Sequence, residues 1–367
     1  MTDAASPKLF QPTRIGDIEL ANRIVMAPLT RCRADEPAGD LPGSTMNVEY
    51  YRQRSGAGLI ISEGTQVSPV GKGYLATPGI YSDAQVEGWK RITQAVHEAG
   101  SKIVAQLWHV GRISHPDLIG GEQPVAPSAV RPEVVAYTRN GKVDVPEPRA
   151  LSTEEIAGVV EQFRRGAANA IRAGFDGVEI HGANGYLIDQ FLRGDANRRT
   201  DAYGGTPENR ARFALEVVDA VVAEVGAARV GIRLSPVSTV NGLADDSPQP
   251  VYTYLIEQLD RRGIAFIHFI EGVTGGPREL AGFDFGWARK HFRGAYIANN
   301  GYDRQSAIDA VASGNADAVA FGRSFIANPD LVERLQKDAP LNRPDPRTFY
   351  APGPEGYIDY PPLPQAA

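Results

Sequence analysis

The stretch GFDGVEIHGANGYLIDQFL, from Gly174 to Leu192, decides how the rest of the chain is interpreted. It contains, in order, a short apolar strand, a glycine-rich break and an apolar helical turn. His181, Asn184 and Tyr186 lie in the break, and side chains at the carboxyl end of a strand in an α/β barrel face the open mouth. Two of them can hydrogen-bond an oxygen atom, and the third carries an acidic proton. We therefore predict that this loop is the chemical centre and that other strands bring a cofactor to it.

Eight short apolar runs recur along the chain, each followed by a helical pattern. They are Arg23–Leu29, Gly58–Glu63, Lys102–Trp108, Gly177–Ile180, Val230–Leu234, Ala265–Ile270, Ala295–Ala298 and Ala318–Phe321. Nearly continuous Val, Ile, Leu and Ala is typical of strands covered on both faces. Eight strand–helix alternations favour an α/β protein with a closed (β/α)8 barrel, and an open doubly wound sheet is the alternative. The barrel is preferred because no G-x-G-x-x-G or Walker sequence follows an early strand.

Helix starts are marked by capping residues. Two Ser/Thr-x-x-Glu/Gln signatures and two N-cap–proline pairs precede apolar helical stripes. They are Ser82 with Gln85, Ser152 with Glu155, Thr206 with Pro207, and Asn328 with Pro329.

Two segments lie outside the alternation. Residues 8–21 predict a leading hairpin that closes the bottom of the barrel, with its turn at Gly16-Asp17. Residues 109–151, rich in Pro and Gly, follow the third strand, and a loop of that length is usually functional. With no other break in composition, residues 1–367 predict a single domain whose insertion caps the mouth as a lid.

Composition excludes several classes of protein. The 367 residues are 42% hydrophobic and 22% charged, which is typical of a globular chain with a large core. A net charge of -6 with dispersed Lys and Arg gives no reason to expect nucleic-acid binding. The single cysteine, Cys32, excludes a disulfide within the chain, a four-thiolate iron–sulfur cluster and a Cys-type zinc site. With no export signal, no apolar run near about 20 residues and no metal-ligand spacing, we expect a cytoplasmic protein without a membrane span or metal.

Four motifs together resemble the old yellow enzyme family. They are APLTR at 27–31, QLWH at 106–109, HGANGY at 181–186, and NRRTD followed by YGG within 197–205. The resemblance continues in order from Leu9 to Pro361. It implies an FMN-dependent ene-reductase on a (β/α)8 barrel, with NADPH or NADH as reductant, existing as a monomer or a homodimer.

The resemblance assigns roles to the central loop. His181 and Asn184 would donate hydrogen bonds to the oxygen of an activated alkene and stabilise the charge that develops there. Tyr186, a phenol with an ordinary pKa near 10, would protonate the neighbouring carbon. The alternatives are a core histidine, a turn asparagine and a packing tyrosine.

The resemblance also places the flavin at the ends of the strands. Thr30 would bond near ring atoms O4 and N5, Gln106 would pair with the pyrimidine edge, and Arg233 would stand beside N1 and O2. For Arg233 the alternative is a buried salt bridge to Glu63 or Glu179. The remaining ring and phosphate positions expected are Pro28, Leu29, Gly64, Asn300, Gly301, Gly322 and Arg323.

Aromatic side chains are expected to form the wall of the substrate pocket. They are Trp108, Tyr74, Tyr350 and Tyr357. The expected substrates are α,β-unsaturated carbonyl or nitro compounds, with nitrate esters as a further class. The alternatives are a flavin-dependent dehydrogenase or oxidase on the same barrel, and a barrel that binds flavin or a phosphorylated ligand without catalysis.

Overall fold

The computed structural model describes residues 6–245 and 247–364. The strands are β1 (Thr13–Ile15), β2 (Ile18–Leu20), β3 (Ile24–Met26), β4 (Leu59–Ile61), β5 (Thr65–Gln66), β6 (Lys102–Trp108), β7 (Val125–Ala126), β8 (Val135–Thr138), β9 (Gly141–Asp144), β10 (Arg149–Ala150), β11 (Gly177–Gly182), β12 (Val230–Leu234), β13 (Phe266–Ile270), β14 (Ala295–Asn299) and β15 (Ala318–Phe321). The α-helices are α1 (Thr45–Gln53), α2 (Asp83–Glu98), α3 (Thr153–Arg172), α4 (Leu187–Leu192), α5 (Pro207–Val225), α6 (Gln249–Arg262), α7 (Phe285–His291), α8 (Arg304–Ala312), α9 (Arg323–Ala327) and α10 (Leu331–Lys337).

Parallel strands close into a barrel at the centre of the molecule. Their order is β11-β12-β13-β14-β15-β3-β4-β6, and β6 pairs back onto β11 to complete the circle. Each of these strands coincides with one of the eight apolar runs, so the (β/α)8 prediction is confirmed. The strands are buried along nearly their whole length, as the continuous apolar runs indicated.

The helices cover the barrel with one apolar face each. In α3 that face is formed by Ile156, Val159 and Phe163, which are at most 4% exposed. The capping boxes at Ser82 and Ser152 are both present, and the side chain of Thr206 accepts the hydrogen bond that caps α5. In the described part of the chain, no helix is both long enough and apolar enough to cross a bilayer.

The helix start predicted at Asn328-Pro329 is wrong by two residues. Helix α10 begins at Leu331, preceded by Asp330. The Asn328 side chain instead accepts a hydrogen bond from the backbone N–H of Asn342 (2.7 Å) and donates to the carbonyl of Ser324 (2.8 Å). Those contacts occupy the side chain that would otherwise have capped the helix.

The leading hairpin closes the amino end of the barrel. Strands β1 and β2 are antiparallel, and Ile15, Ile18 and Leu20 pack in one cluster with inward side chains of the barrel strands. Gly16 at the turn has a φ of 56°, and a Cβ there would lie 2.0 Å from the carbonyl oxygen of Ala228. The hairpin therefore fills the end of the barrel opposite the carboxyl mouth.

The insertion between β6 and α3 carries strands of its own. Strands β8 and β9 form an antiparallel hairpin, and β7 pairs with β10. Arg139 at the hairpin tip forms an ion pair with Glu36, and Tyr137 on β8 lines a cavity at the mouth of the barrel. The insertion therefore lies beside the carboxyl mouth of the barrel, next to the opening that it was predicted to cover.

Candidate active site

The loop after β11 is held rigidly by hydrogen bonds. Asn184 adopts a φ of 58°, a left-handed conformation that asparagine tolerates better than most residues. Its N–H donates to Ser235 Oγ (2.8 Å), and its carbonyl accepts from Asn241 Nδ2 (2.8 Å). The N–H of Gly185 donates to Asp189 Oδ2 (3.0 Å) at the start of α4. This loop therefore presents its side chains in fixed directions.

His181 is a neutral hydrogen-bond donor in this structure. It is 4% exposed, and the N–H of Ala183 donates to its Nδ1 (3.3 Å), which places the ring hydrogen on Nε2. Burial holds the pKa of His181 well below its ordinary value, and the positive charge of Arg233 lowers it further. The imidazole consequently offers an Nε2–H without carrying a charge.

Asn184 is oriented as a donor as well. The hydroxyl of Thr274 donates to Asn184 Oδ1 (2.7 Å), which leaves the Nδ2 group available to a ligand. Asn184 and Arg233 line a cavity of 410 Å³ at the carboxyl mouth. Thr274 could not be predicted from the sequence, because nothing in its local pattern marks a contact to a residue ninety positions earlier.

Tyr186 is paired with a second phenol. Its hydroxyl lies 2.9 Å from that of Tyr74, and both side chains line a cavity of 670 Å³ together with Thr30. Burial raises the pKa of Tyr186 well above 10, and the neighbouring Tyr74 raises it further. The pKa of Tyr74 is also raised, mainly by burial. Both phenols are therefore protonated at neutral pH.

Trp108 lies behind these groups. Its ring packs edge-on to Tyr186 (centroids 5.0 Å apart) and stacks near His181 (6.2 Å). It is 1% exposed, and a Cβ on Gly64 would lie 2.5 Å from its Cε3. Gly64 thus makes room for the indole, and both residues stand behind the cavity wall in the described structure.

Of the two tyrosines predicted in the carboxyl-terminal segment, Tyr350 lies at the mouth of the barrel and Tyr357 does not. Tyr350 is 66% exposed and lines both cavities. Tyr357 is fully buried, stacks on Tyr50 at 4.1 Å, and lies beneath the guanidinium of Arg33. The expectation that Tyr357 forms part of the pocket wall is therefore wrong. Arg31 donates to the carbonyl of Gly356 (2.7 Å), which fixes the segment in this position.

Arg233 is a buried cation with a neutral partner. Its Nη2 donates to Asn299 Oδ1 (2.8 Å), and its Nε has no partner among the described residues. Burial lowers the pKa of Arg233 to about 10. In residues 6–245 and 247–364 it makes no ion pair within 4.0 Å, so the alternative of a salt bridge to Glu63 or Glu179 is wrong. A buried cation of this kind calls for an anionic or electron-rich ligand.

The carboxylate of Glu179 bonds other side chains than Arg233. Its carboxylate accepts hydrogen bonds from Gln106 Nε2 (2.7 Å) and from His268 Nδ1 (2.7 Å). Burial lowers the pKa of His268 despite the attraction of Glu179, so the imidazole is neutral and Nδ1 is the donor. Sequence reasoning missed this contact, although a carboxylate inside an apolar strand was a signal of the same kind as Arg233.

The far end of the 410 Å³ cavity has the features of a phosphate site. It is lined by Asn300, Gly301, Gly322 and Arg323, the four residues predicted for phosphate, together with Gly275 and Gly276 from the loop after β13. Asn300 ties that loop down, because its Nδ2 donates to the carbonyls of Glu271 (2.7 Å) and Val273 (2.8 Å). Backbone N–H groups of glycine-rich loops and a guanidinium are common phosphate ligands.

The two cavities are continuous. Pro28 and Leu29, from the end of the first barrel strand, line both, as do Ile326 and Phe349. Cys32 lines the larger cavity, and burial raises the pKa of its thiol to about 12, so it is not a reactive thiolate. Among residues 6–245 and 247–364, no group of three or more His, Cys, Asp or Glu side chains could hold a metal ion.

A barrel whose mouth is lined by glycine-rich loops, a buried cation and neutral hydrogen-bond donors is typical of oxidoreductases that use a phosphorylated cofactor. The NADH:flavin oxidoreductase / NADH oxidase family model matches residues 8–342, and the chain belongs to this family.

Relatives support the same assignment. A Leishmania infantum protein named "probable flavin mononucleotide-dependent alkene reductase" is 45% identical over 359 residues, covering 96% of this chain and 97% of the relative. The structure of morphinone reductase in complex with tetrahydroNAD is 49% identical, with a TM-score of 0.92 and 98% of both chains covered. The old yellow enzyme homologue from Zymomonas mobilis is 44% identical, with a TM-score of 0.91, covering 97% of this chain and 99% of that one. The resemblance to the old yellow enzyme family is confirmed.

One prediction concerns His109, which follows Trp108. Burial lowers its pKa to about 4 from an ordinary 6.5. Between these two values the unfolded chain binds a proton that the folded chain excludes, so stability falls as the pH falls from 6.5 towards 4. Urea unfolding from pH 6 to 5 should show a slope that is steeper in the wild type than in His109→Asn by about 1.4 kcal/mol per pH unit. Equal slopes would contradict a buried neutral imidazole at this position.

Proposed function

We propose that the chain is an FMN-dependent NAD(P)H oxidoreductase that reduces activated C=C bonds of α,β-unsaturated carbonyl compounds. The observation that carries the proposal is the carboxyl end of β11 with the loop that follows it. A neutral imidazole at the end of the strand stands beside an oriented amide and a protonated phenol on the loop, at the mouth that Arg233 and Thr30 also line. Family membership and the relatives' printed names agree with this chemistry.

The residues at the mouth fit FMN. Arg233 has a buried Nε without a protein partner, and a flavin ring would provide the electron-rich edge that this cation lacks. The ring would be held by Gln106, Thr30, Pro28 and Leu29, and Gly64 would make room for Trp108 behind the cavity wall. The phosphate would be held by Asn300, Gly301, Gly322 and Arg323. When bound, FMN supplies two-electron chemistry: it accepts hydride from NADPH or NADH and delivers hydride to the alkene.

The two donors on the loop would bind the substrate oxygen. Nε2–H of His181 and the Nδ2 group of Asn184 are both fixed by contacts on their other side, from Ala183 and Thr274. Preorganised donors of this kind are worth about 3–4 kcal/mol each when negative charge develops on the oxygen. Because His181 is neutral, it stabilises that charge without giving up its own proton.

Tyr186 would protonate the carbon next to the activating group. Its raised pKa keeps the phenol protonated until a strongly basic carbon is formed beside it. Tyr74 and Tyr350 would bound the substrate, and the Tyr74 hydroxyl also bonds that of Tyr186. Trp108 would support Tyr186 from behind the cavity wall. Nitro compounds and nitrate esters are proposed as further substrates, and the latter need no proton on carbon.

Further features belong to the same proposal. Residues 109–151 would act as a lid over the mouth within one domain of 1–367. The protein would act on small molecules in the cytoplasm as a monomer or a homodimer, without binding nucleic acid or membrane. A dehydrogenase or oxidase on the same barrel is the alternative.

The wild-type protein tests the proposal directly. Purified protein loaded with FMN should be yellow, lose its colour on anaerobic mixing with NADPH or NADH, and regain it on addition of 2-cyclohexenone. Saturated cyclohexanone is the matched control and should leave the cofactor reduced. Slow bleaching by both nicotinamides together with fast bleaching by an alcohol would favour the dehydrogenase alternative.

The role of Tyr186 has its own test. Tyr186→Phe should lower the rate constant for reoxidation by cyclohexenone by about 100-fold or more, because a positioned general acid contributes that much. Reoxidation by a nitrate ester should change less than threefold, about 0.6 kcal/mol at most. Tyr74→Phe is the matched control because it leaves the Tyr186 hydroxyl in place. Its rate constant for reoxidation by cyclohexenone should fall less than that of Tyr186→Phe. Full activity of Tyr186→Phe on the enone would show that the proton comes from elsewhere.

A further inference from the structure

The buried carboxylate of Glu179 has no role in the function proposed so far. Each of its oxygens accepts one short hydrogen bond, from Gln106 Nε2 and from His268 Nδ1 (2.7 Å each). All three side chains are at most 2% exposed. The Nε2 of His268 has no partner among the described residues. Burying a carboxylate whose hydrogen-bond donors are all neutral costs free energy of folding, which points to a role beyond packing.

The strand register shows where this cluster lies. Glu179 on β11 is in register with Gln106 on β6 and with Gly231 on β12. The carboxylate of Glu179 also accepts a hydrogen bond from His268 on β13, two strands away. Two residues nearer the mouth, His181, Arg233 and His268 are in register on consecutive strands. Glu179 therefore lies one layer beneath the cation of Arg233.

This placement has two consequences for a ligand above it. The Gln106 amide can point only one way, because its Nε2 is held by Glu179 and its Oε1 remains the atom available to a ligand. The carboxylate is also a buried negative charge near Arg233, whose hydrogen-bond partner Asn299 is neutral. In a buried layer such charges are weakly screened and act over several ångströms.

We propose that Glu179 is a positioning residue for the cofactor: it fixes the orientation of the Gln106 amide and offsets the charge of Arg233, and thereby sets the cofactor's reduction potential. The inference rests on the proposed function, because it requires FMN at the barrel mouth. It adds a determinant of potential that does not touch the cofactor and acts through Gln106 and Arg233.

The test is the two-electron potential of bound FMN in Glu179→Gln, measured by spectroscopic titration against a reference dye. The neutral amide leaves the Arg233 cation unopposed, which favours the more negatively charged reduced cofactor. The potential should become more positive by at least about 30 mV, which is a tenfold change in the binding ratio of the reduced and oxidised forms. A potential equal to that of the wild type overturns the proposal.

A matched pair of variants covers the case in which Glu179→Gln does not fold. His268→Leu removes one of the two hydrogen bonds that hold the Glu179 carboxylate beneath Arg233, so the carboxylate offsets the Arg233 charge less well and the potential should shift in the same direction. His268→Gln retains an N–H donor at this position and should keep the wild-type potential. A purely structural role predicts lower melting temperatures for both apoproteins with no change in potential, and that result overturns the proposal.

These outcomes are distinct from failure of the proposed function. If wild-type protein neither binds FMN nor reduces cyclohexenone, the proposed function is wrong. If the wild type does both and the potential of Glu179→Gln is unchanged, only the role of Glu179 is wrong.

Discussion

Burial of a cation beside an imidazole is the constraint on which this site depends. His181 and Arg233 are in register on neighbouring strands and both are less than 10% exposed. Burial lowers the pKa of His181, and the positive charge of Arg233 lowers it further, so the histidine stays neutral while the arginine, with its much higher ordinary pKa, keeps its charge. The neutral ring is then available as a pure hydrogen-bond donor, which is the form that can stabilise developing negative charge without transferring its proton.

The remainder of the fold keeps that arrangement in place. The leading hairpin fills the amino end of the barrel, and the two cavities that hold the site residues lie at the carboxyl ends of the strands. On the opposite side, Arg31 and Arg33 donate to backbone carbonyls of the segment 348–356 and hold Tyr350 over the mouth. These arginines follow the first barrel strand directly. The motif that carries Thr30 thus also anchors the carboxyl-terminal wall.

The sequence was sufficient to predict the barrel and the family, and insufficient to predict the contacts between side chains. The eight strands were predictable because a strand buried on both faces leaves an unbroken apolar run. Ser82 and Ser152 were predictable because a capping box is complete within four residues. Asn328 and Tyr357 were assigned wrongly because their partners, Asn342 for the first and Tyr50 with Arg33 for the second, are set by tertiary packing. The contacts of Thr274 and Glu179 likewise join residues 73 to 90 positions apart.

His181 and Asn184 together should bind an oxygen anion above the cofactor, and every other role proposed for the site depends on this pair. Titration of FMN-loaded protein with 4-chlorophenol measures this, since a phenolate stacked on the flavin gives a long-wavelength absorption band. The double variant His181→Ala/Asn184→Ala should lose the band and bind at least about 100-fold more weakly, because two hydrogen bonds to a charged group are removed. His97→Gln, on the outer helix α2, should bind like the wild type. Unchanged affinity in the double variant would contradict the account.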